Sequence, residues 1–96
     1  MPELQVIAHH HVAEGNEEAA LGLYPKLIEA SLTEPCCLGF VAYRRLDAPR
    51  EIVLLERYAS REAFAAHRAS PHFQELVLGR IVPLLADRTV EQYDAS

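Results

Sequence analysis

Apolar and polar side chains alternate from Leu4 to Val12. Leu4, Val6, Ala8, His10 and Val12 fall on one side of an extended chain, and Gln5, Ile7, His9 and His11 on the other. The segment has little helical character and closes at Glu14-Gly15, a turn signal, so it reads as a strand. Asn16 is then a good helix N-cap, with Glu17 and Glu18 in the first turn and Leu21, Tyr24, Leu27, Ile28 and Leu32 at helical spacing. Pro25 lies inside that helix, where it removes a hydrogen bond to Leu21, so a kink is expected between Leu21 and Pro25.

Cys36 to Arg45 carries Leu38, Phe40, Val41 and Tyr43, and the Asp47-Ala48-Pro49-Arg50 turn separates it from the apolar run Ile52 to Tyr58. Two strands joined as a hairpin fit this pattern. Ser60 caps a short helix with Glu62 in its first turn, and Ser70-Pro71 interrupts it. Phe73, Leu76, Val77, Ile81 and Leu84 give the continuation an apolar stripe, and Thr89 to Tyr93 reads as a fourth strand. The order β, α, β, β, α, β is the α+β, ferredoxin-like split arrangement: a four-stranded antiparallel sheet with helices on one face and the second helix broken at Ser70-Pro71. Strand three places Ile52, Leu54, Glu56 and Tyr58 on one face and Val53, Leu55 and Arg57 on the other. Both faces of the sheet carry apolar residues, so a second sheet is expected to cover the face without helices.

Length and composition narrow the picture further. Ninety-six residues, 50% hydrophobic and 24% charged, make a single domain over 1–96 rather than a disordered chain or a two-domain enzyme. So short a domain gains burial from oligomerisation. The balance of nine Lys and Arg against fourteen Asp and Glu argues against nucleic acid as a partner. No apolar run approaches the roughly 20 residues of a membrane span, and the first twelve residues lack a signal-peptide pattern, so no membrane partner and a cytoplasmic location are expected.

Cys36 and Cys37 are adjacent, which signals neither a redox dithiol nor a structural zinc site. They read as small apolar side chains at a strand start. His9-His10-His11 invites a metal reading, but alternation leaves only His9 and His11 on one face, roughly 6 to 7 Å apart, with no third ligand fixed by spacing. These two are expected at a dimer interface. With no G-x-G-x-x-G or G-x-x-x-x-G-K after a strand either, neither metal nor cofactor is expected.

Val6-Ile7-Ala8, Gly15, Glu34-Pro35, Cys37-Leu38, the Glu56-x-Tyr58 strand end and above all Ala66-His67-Arg68-Ala69-Ser70-Pro71-His72-Phe73 resemble the antibiotic biosynthesis monooxygenase (ABM) domain. The resemblance covers nearly the whole chain. It implies a dimeric α+β barrel in which two open sheets pack face to face, with a small apolar cavity between sheet and helices in each protomer. Some members oxidise polyphenolic or quinol-like substrates with dioxygen and no metal or flavin; others isomerise small carbonyl compounds, and a related branch degrades haem. Members typically carry Trp where this chain has Tyr58, Gly where it has Cys36 and Tyr where it has Phe40. The haem-degrading branch has its iron-ligating His at the position of Val77, which cannot ligate, so haem degradation is disfavoured.

A cofactor-free oxygenase takes its electrons from the substrate, so the protein must remove a proton and hold the resulting anion in an apolar cage. Histidine titrates near neutrality and suits that task. His10 shares a strand face with Val6 and Ala8, and His67 follows Ala63 and Phe64 by one turn, so both are candidate catalytic bases facing one cavity. The alternative for His10 is a hydrogen-bonded core histidine. Glu56, on the face of Tyr58, is a third candidate that would orient a histidine, or else pair with an arginine. Tyr58, Phe40, Phe64 and Phe73 are the candidate substrate-binding walls, with Tyr58 able to donate to a substrate oxygen; the alternative is ordinary core aromatics. His72, in the first turn of a new helix, is expected to be exposed. The expected function is a cofactor-independent monooxygenase of a small quinol-like substrate, with molecular oxygen as co-substrate and a homodimer as its assembly. The alternatives are an isomerase or other proton-transfer enzyme in the same cavity, or a noncatalytic dimeric binding module.

Overall fold

The computed structural model describes residues 2–95. Its strands are β1 (Glu3–Val12), β2 (Cys37–Arg44), β3 (Glu51–Tyr58) and β4 (Leu85–Ala95), in one antiparallel sheet of order β2-β3-β1-β4. The alternation seen in the sequence becomes alternating burial: Leu4, Val6, Ala8, His10 and Val12 of β1 and Ile52, Leu54, Glu56 and Tyr58 of β3 are all buried. Cross-strand register pairs Leu4 with Tyr58, Val6 with Glu56, Ala8 with Leu54 and His10 with Ile52. Apolar side chains at these positions pack against the helices and form the core.

The first helical stretch is two helices, α1 (Glu17–Leu21) and α2 (Tyr24–Leu32). The expected kink is therefore a full break around Gly22. Pro25 sits in the first turn of α2, where an amide donor is not needed, so the proline restarts a helix instead of bending one. Asn16 makes no side-chain cap; its Nδ2 donates to the Leu84 carbonyl at 3.3 Å and ties the start of α1 to the far end of the helical layer. Gly15 has φ +92°, a conformation that favours glycine and turns the chain out of β1.

Helix α3 (Arg61–Ala69) begins as its sequence requires, with Ser60 Oγ accepting from the Ala63 amide at 3.1 Å. Ser70 then turns extended, and its hydroxyl donates to the His67 carbonyl at 2.6 Å and accepts from the Phe73 amide at 3.2 Å. The chain resumes as a wide π-helical segment over Phe73–Ile81, followed by a 3₁₀ turn over Val82–Leu84. Phe73, Val77 and Ile81 are its buried residues, at the four-residue spacing that a wider turn keeps on one side. Strand β4 is longer than the expected Thr89–Tyr93 because it pairs with β1 along almost the whole of that strand.

The opposite sheet face carries an apolar row. Ile7 and Val41 both pair in register with Leu55, and Tyr43 pairs with Val53. Leu55, Val41 and Tyr43 are exposed. No helix among the described residues is long and apolar enough to cross a membrane.

Candidate functional site

The break at Ser70-Pro71 is what assembles the site. It ends α3 just after His67 and sets His72 and Phe73 at the start of the next segment, close to the loop between α2 and β2. Glu34, in that loop, places one carboxylate oxygen 2.7 Å from His67 Nδ1 and 2.5 Å from His72 Nε2. His67 is almost fully buried, and His72 is partly so. The sequence expectation of an exposed His72 is thus replaced by a histidine held against a carboxylate that sequence reasoning had given no role.

Around the His67 imidazole stand the four aromatic residues expected as cavity walls. Ring centroids lie 5.2 Å away for Phe73, 5.3 Å for Tyr58, 5.7 Å for Phe40 and 6.3 Å for Phe64, the last nearly parallel. Burial among these rings depresses the His67 pKa, while the Glu34 carboxylate opposes the shift. The ring is therefore held neutral near pH 7, with Nδ1–H donated to Glu34 and the Nε2 lone pair left as the basic position.

His10 lies elsewhere on the same sheet face, while Glu56 borders the cage, bonded to Tyr58 and paired in register with Phe40. The His10 Nδ1 is 2.8 Å from the Tyr24 hydroxyl, with the rings 5.7 Å apart. Burial first, then the positive charge of Arg88, pushes its pKa down to about 4. Among the described residues its aromatic neighbour is Tyr24, not the cage around His67, so the two histidines have separate partners. Register explains this: His10 pairs with Ile52, whereas Tyr58 of the cage pairs with Leu4, six residues back along β1. Among the described residues Glu56 hydrogen-bonds Tyr58 and not a histidine. It accepts a 2.5 Å hydrogen bond from Tyr58, which commits that phenol to the carboxylate rather than to a substrate oxygen. Burial pushes Glu56 up to about 7, against the pull of Tyr58 and Arg88.

A cleft of about 690 Å³ opens between α3, the π-helical segment and β4, and Phe64 and Phe73 are shared between it and the His67 cage. Ligands of small-molecule enzymes occupy volumes of this order. On the opposite sheet face His9 pairs with Glu91 at 2.6 Å and His11 with Glu51, so each has an acidic partner of its own. Cys36 and Cys37 are free thiols.

Glu34, His67 and His72 also form the one group of three among the described residues whose ligating atoms lie within 4.8 Å of one another. Their hydrogen bonds already satisfy the facing atoms, and elemental analysis of purified protein is expected to find no stoichiometric metal. Zinc or iron near one equivalent, lost in His72→Ala, would assign the cluster to a metal instead.

The antibiotic biosynthesis monooxygenase family model matches residues 4–77. A comparison with curated proteins returns no match. A solved antibiotic biosynthesis monooxygenase is 32% identical, with a TM-score of 0.90 over 97% of this chain and 98% of its own. A Mycobacterium tuberculosis protein is 28% identical, with a TM-score of 0.89 over 98% and 95% of the two chains. A conserved protein from Methanosarcina mazei Go1, 24% identical, shares the fold at a TM-score of 0.92 over 100% and 95%. The family model spans most of the chain and takes in the buried histidine and all four surrounding rings, and the chain belongs to the antibiotic biosynthesis monooxygenase family.

Proposed function

We propose that this protein is a cofactor-independent monooxygenase of a small quinol-like or otherwise activated aromatic substrate, with His67 as its general base. The observation that carries the reading is a buried imidazole enclosed by Phe40, Tyr58, Phe64 and Phe73, its Nδ1 held by Glu34 and two of its walls shared with the cleft. A substrate phenol or activated methylene gives its proton to Nε2, and the imidazolium that forms faces the Glu34 carboxylate. The electron-rich anion then passes electrons to dioxygen. The new carbon–oxygen bond forms a hydroperoxide, which loses water, so that a methylene and one dioxygen become a carbonyl and one water. Four aromatic rings exclude bulk water, which keeps the anion reactive.

A second reading rests on Glu56. A carboxyl that titrates near 7 and is bonded to a buried tyrosine can return a proton as readily as it takes one, which suits an isomerase. Parallel aerobic and anaerobic incubations with a panel of hydroquinones and anthrones separate the two. Oxygen uptake matching product formation supports the oxygenase; equal turnover without oxygen supports the isomerase; binding without turnover of any panel member contradicts both.

The assembly proposed is a homodimer through the open sheet face, supported by the apolar row of Ile7, Val41 and Leu55. Leu55→Arg puts a charge in the middle of that row and is expected to convert a dimer into a monomer in sedimentation velocity. A wild-type monomer at micromolar concentration would remove the proposal.

A further inference from the structure

The charge of the 690 Å³ cleft runs against that of the chain. The protein is acidic, with a formal charge of −5, yet the described residues that line the cleft include Arg68 and Arg88 and no carboxylate. Of the six other arginines three are matched by acids, Arg45 by Asp47, Arg57 by Glu3 and Arg61 by Asp94, while Arg44, Arg50 and Arg80 lie outside the cleft lining without one among the described residues. Among the described residues Arg68 and Arg88 have no such partner. The Arg68 guanidinium lies 5.5 Å from the centroid of the Phe64 ring, which seats a cation beside an aromatic wall. Arg88 pairs in register with His10 on the helix-covered side of β4, where its charge reaches both His10 and Glu56. The remaining wall is mainly apolar, including Phe64, Phe73, Leu78 and Val90.

Two unmatched guanidinium groups beside an apolar wall are complementary to a molecule with an aromatic body and an acidic head, because the guanidinium fork fits a carboxylate in two-point contact. We propose that the cleft binds a small aromatic carboxylate, its ring against Phe64, Phe73, Leu78 and Val90 and its carboxylate toward Arg68 and Arg88. This narrows the substrate class of the monooxygenase reading, and depends on that reading only for the step from binding to turnover.

Titration calorimetry of the full chain with 2-naphthoate and with its uncharged isostere 2-naphthamide isolates the charge. The wild type is expected to bind the carboxylate at least about tenfold more tightly than the amide. Arg88→Gln and Arg68→Gln are each expected to shrink that ratio toward one. Arg80→Gln, which removes the same charge outside the cleft lining, is expected to keep the ratio. Equal affinity for the two compounds, a ratio unchanged in both cleft variants, or no binding of either at millimolar concentration would overturn the proposal. Since turnover does not enter the readout, a failed oxygenase assay leaves a measured carboxylate preference standing, and a working oxygenase without that preference removes only the acidic head.

Discussion

The His67→Ala variant is expected to lose roughly a hundredfold or more in turnover, the usual contribution of a positioned general base. The loss belongs in kcat, with KM little changed, because the base acts on the bound substrate. His67 is almost fully buried and packs among four aromatic rings, so alanine also leaves a cavity. His67→Gln keeps most of the volume and separates the two effects. A folded His67→Gln protein with wild-type turnover would rule out the histidine base. His9→Ala is the control on the open face, where the side chain pairs with Glu91, and should leave kcat unchanged. His10→Ala should cost activity less than His67→Ala, since His10 is bonded to Tyr24 and lies outside the cage.

Replacing Glu56 with Gln is expected to change the pH dependence of stability by about 3 kcal/mol, because a shift from 4.5 to about 7 corresponds to that order of free energy. The folded chain keeps the Glu56 proton up to about pH 7, whereas the unfolded chain releases it near 4.5. The stability contributed by this proton is fully present below 4.5 and is lost as pH rises through 7. His10 works in the opposite sense: its folded pKa of about 4 lies below its ordinary 6.5, so its contribution is present above 6.5 and lost as pH falls toward 4. The two slopes oppose each other over nearly the same range, and the wild-type profile conceals both. Chemical denaturation of wild type and Glu56→Gln at several pH values exposes the Glu56 part: the wild-type advantage should shrink steadily from pH 4.5 to 7. A difference independent of pH would show that Glu56 is not buried as a neutral acid.

The faces of β1 and β3 were legible because alternation needs only the local chain, and Leu4 to Val12 alternates without interruption. The same pattern could place His10 on the inner face but not say how far along the sheet it lies from His67. That distance depends on strand register and on where α3 crosses the sheet, both set by tertiary packing. The four aromatic residues were readable as walls, yet the carboxylate that holds His67 was not. Glu34 meets His67 and His72 only when the α2–β2 loop closes against the Ser70-Pro71 break, across 33 and 38 residues of chain. Its one sequence signal was the Glu34-Pro35 pair, one of several segments in the family resemblance and without a chemical role. Asn16 misled for a related reason: its side chain has the right chemistry for a cap but finds the Leu84 carbonyl instead. The π-helical segment has no local signature to separate it from an ordinary amphipathic helix.

Turnover of a reactive anthrone under isotopically heavy dioxygen, with protein verified free of metal and flavin, tests the proposed chemistry most directly. The expected product carries one heavy oxygen atom per molecule, its partner appears in water, and His67→Gln forms the labelled product at a small fraction of the wild-type rate. A product whose oxygen comes from solvent, or label incorporation that is equally fast without the imidazole, would contradict a cofactor-free monooxygenase built around His67.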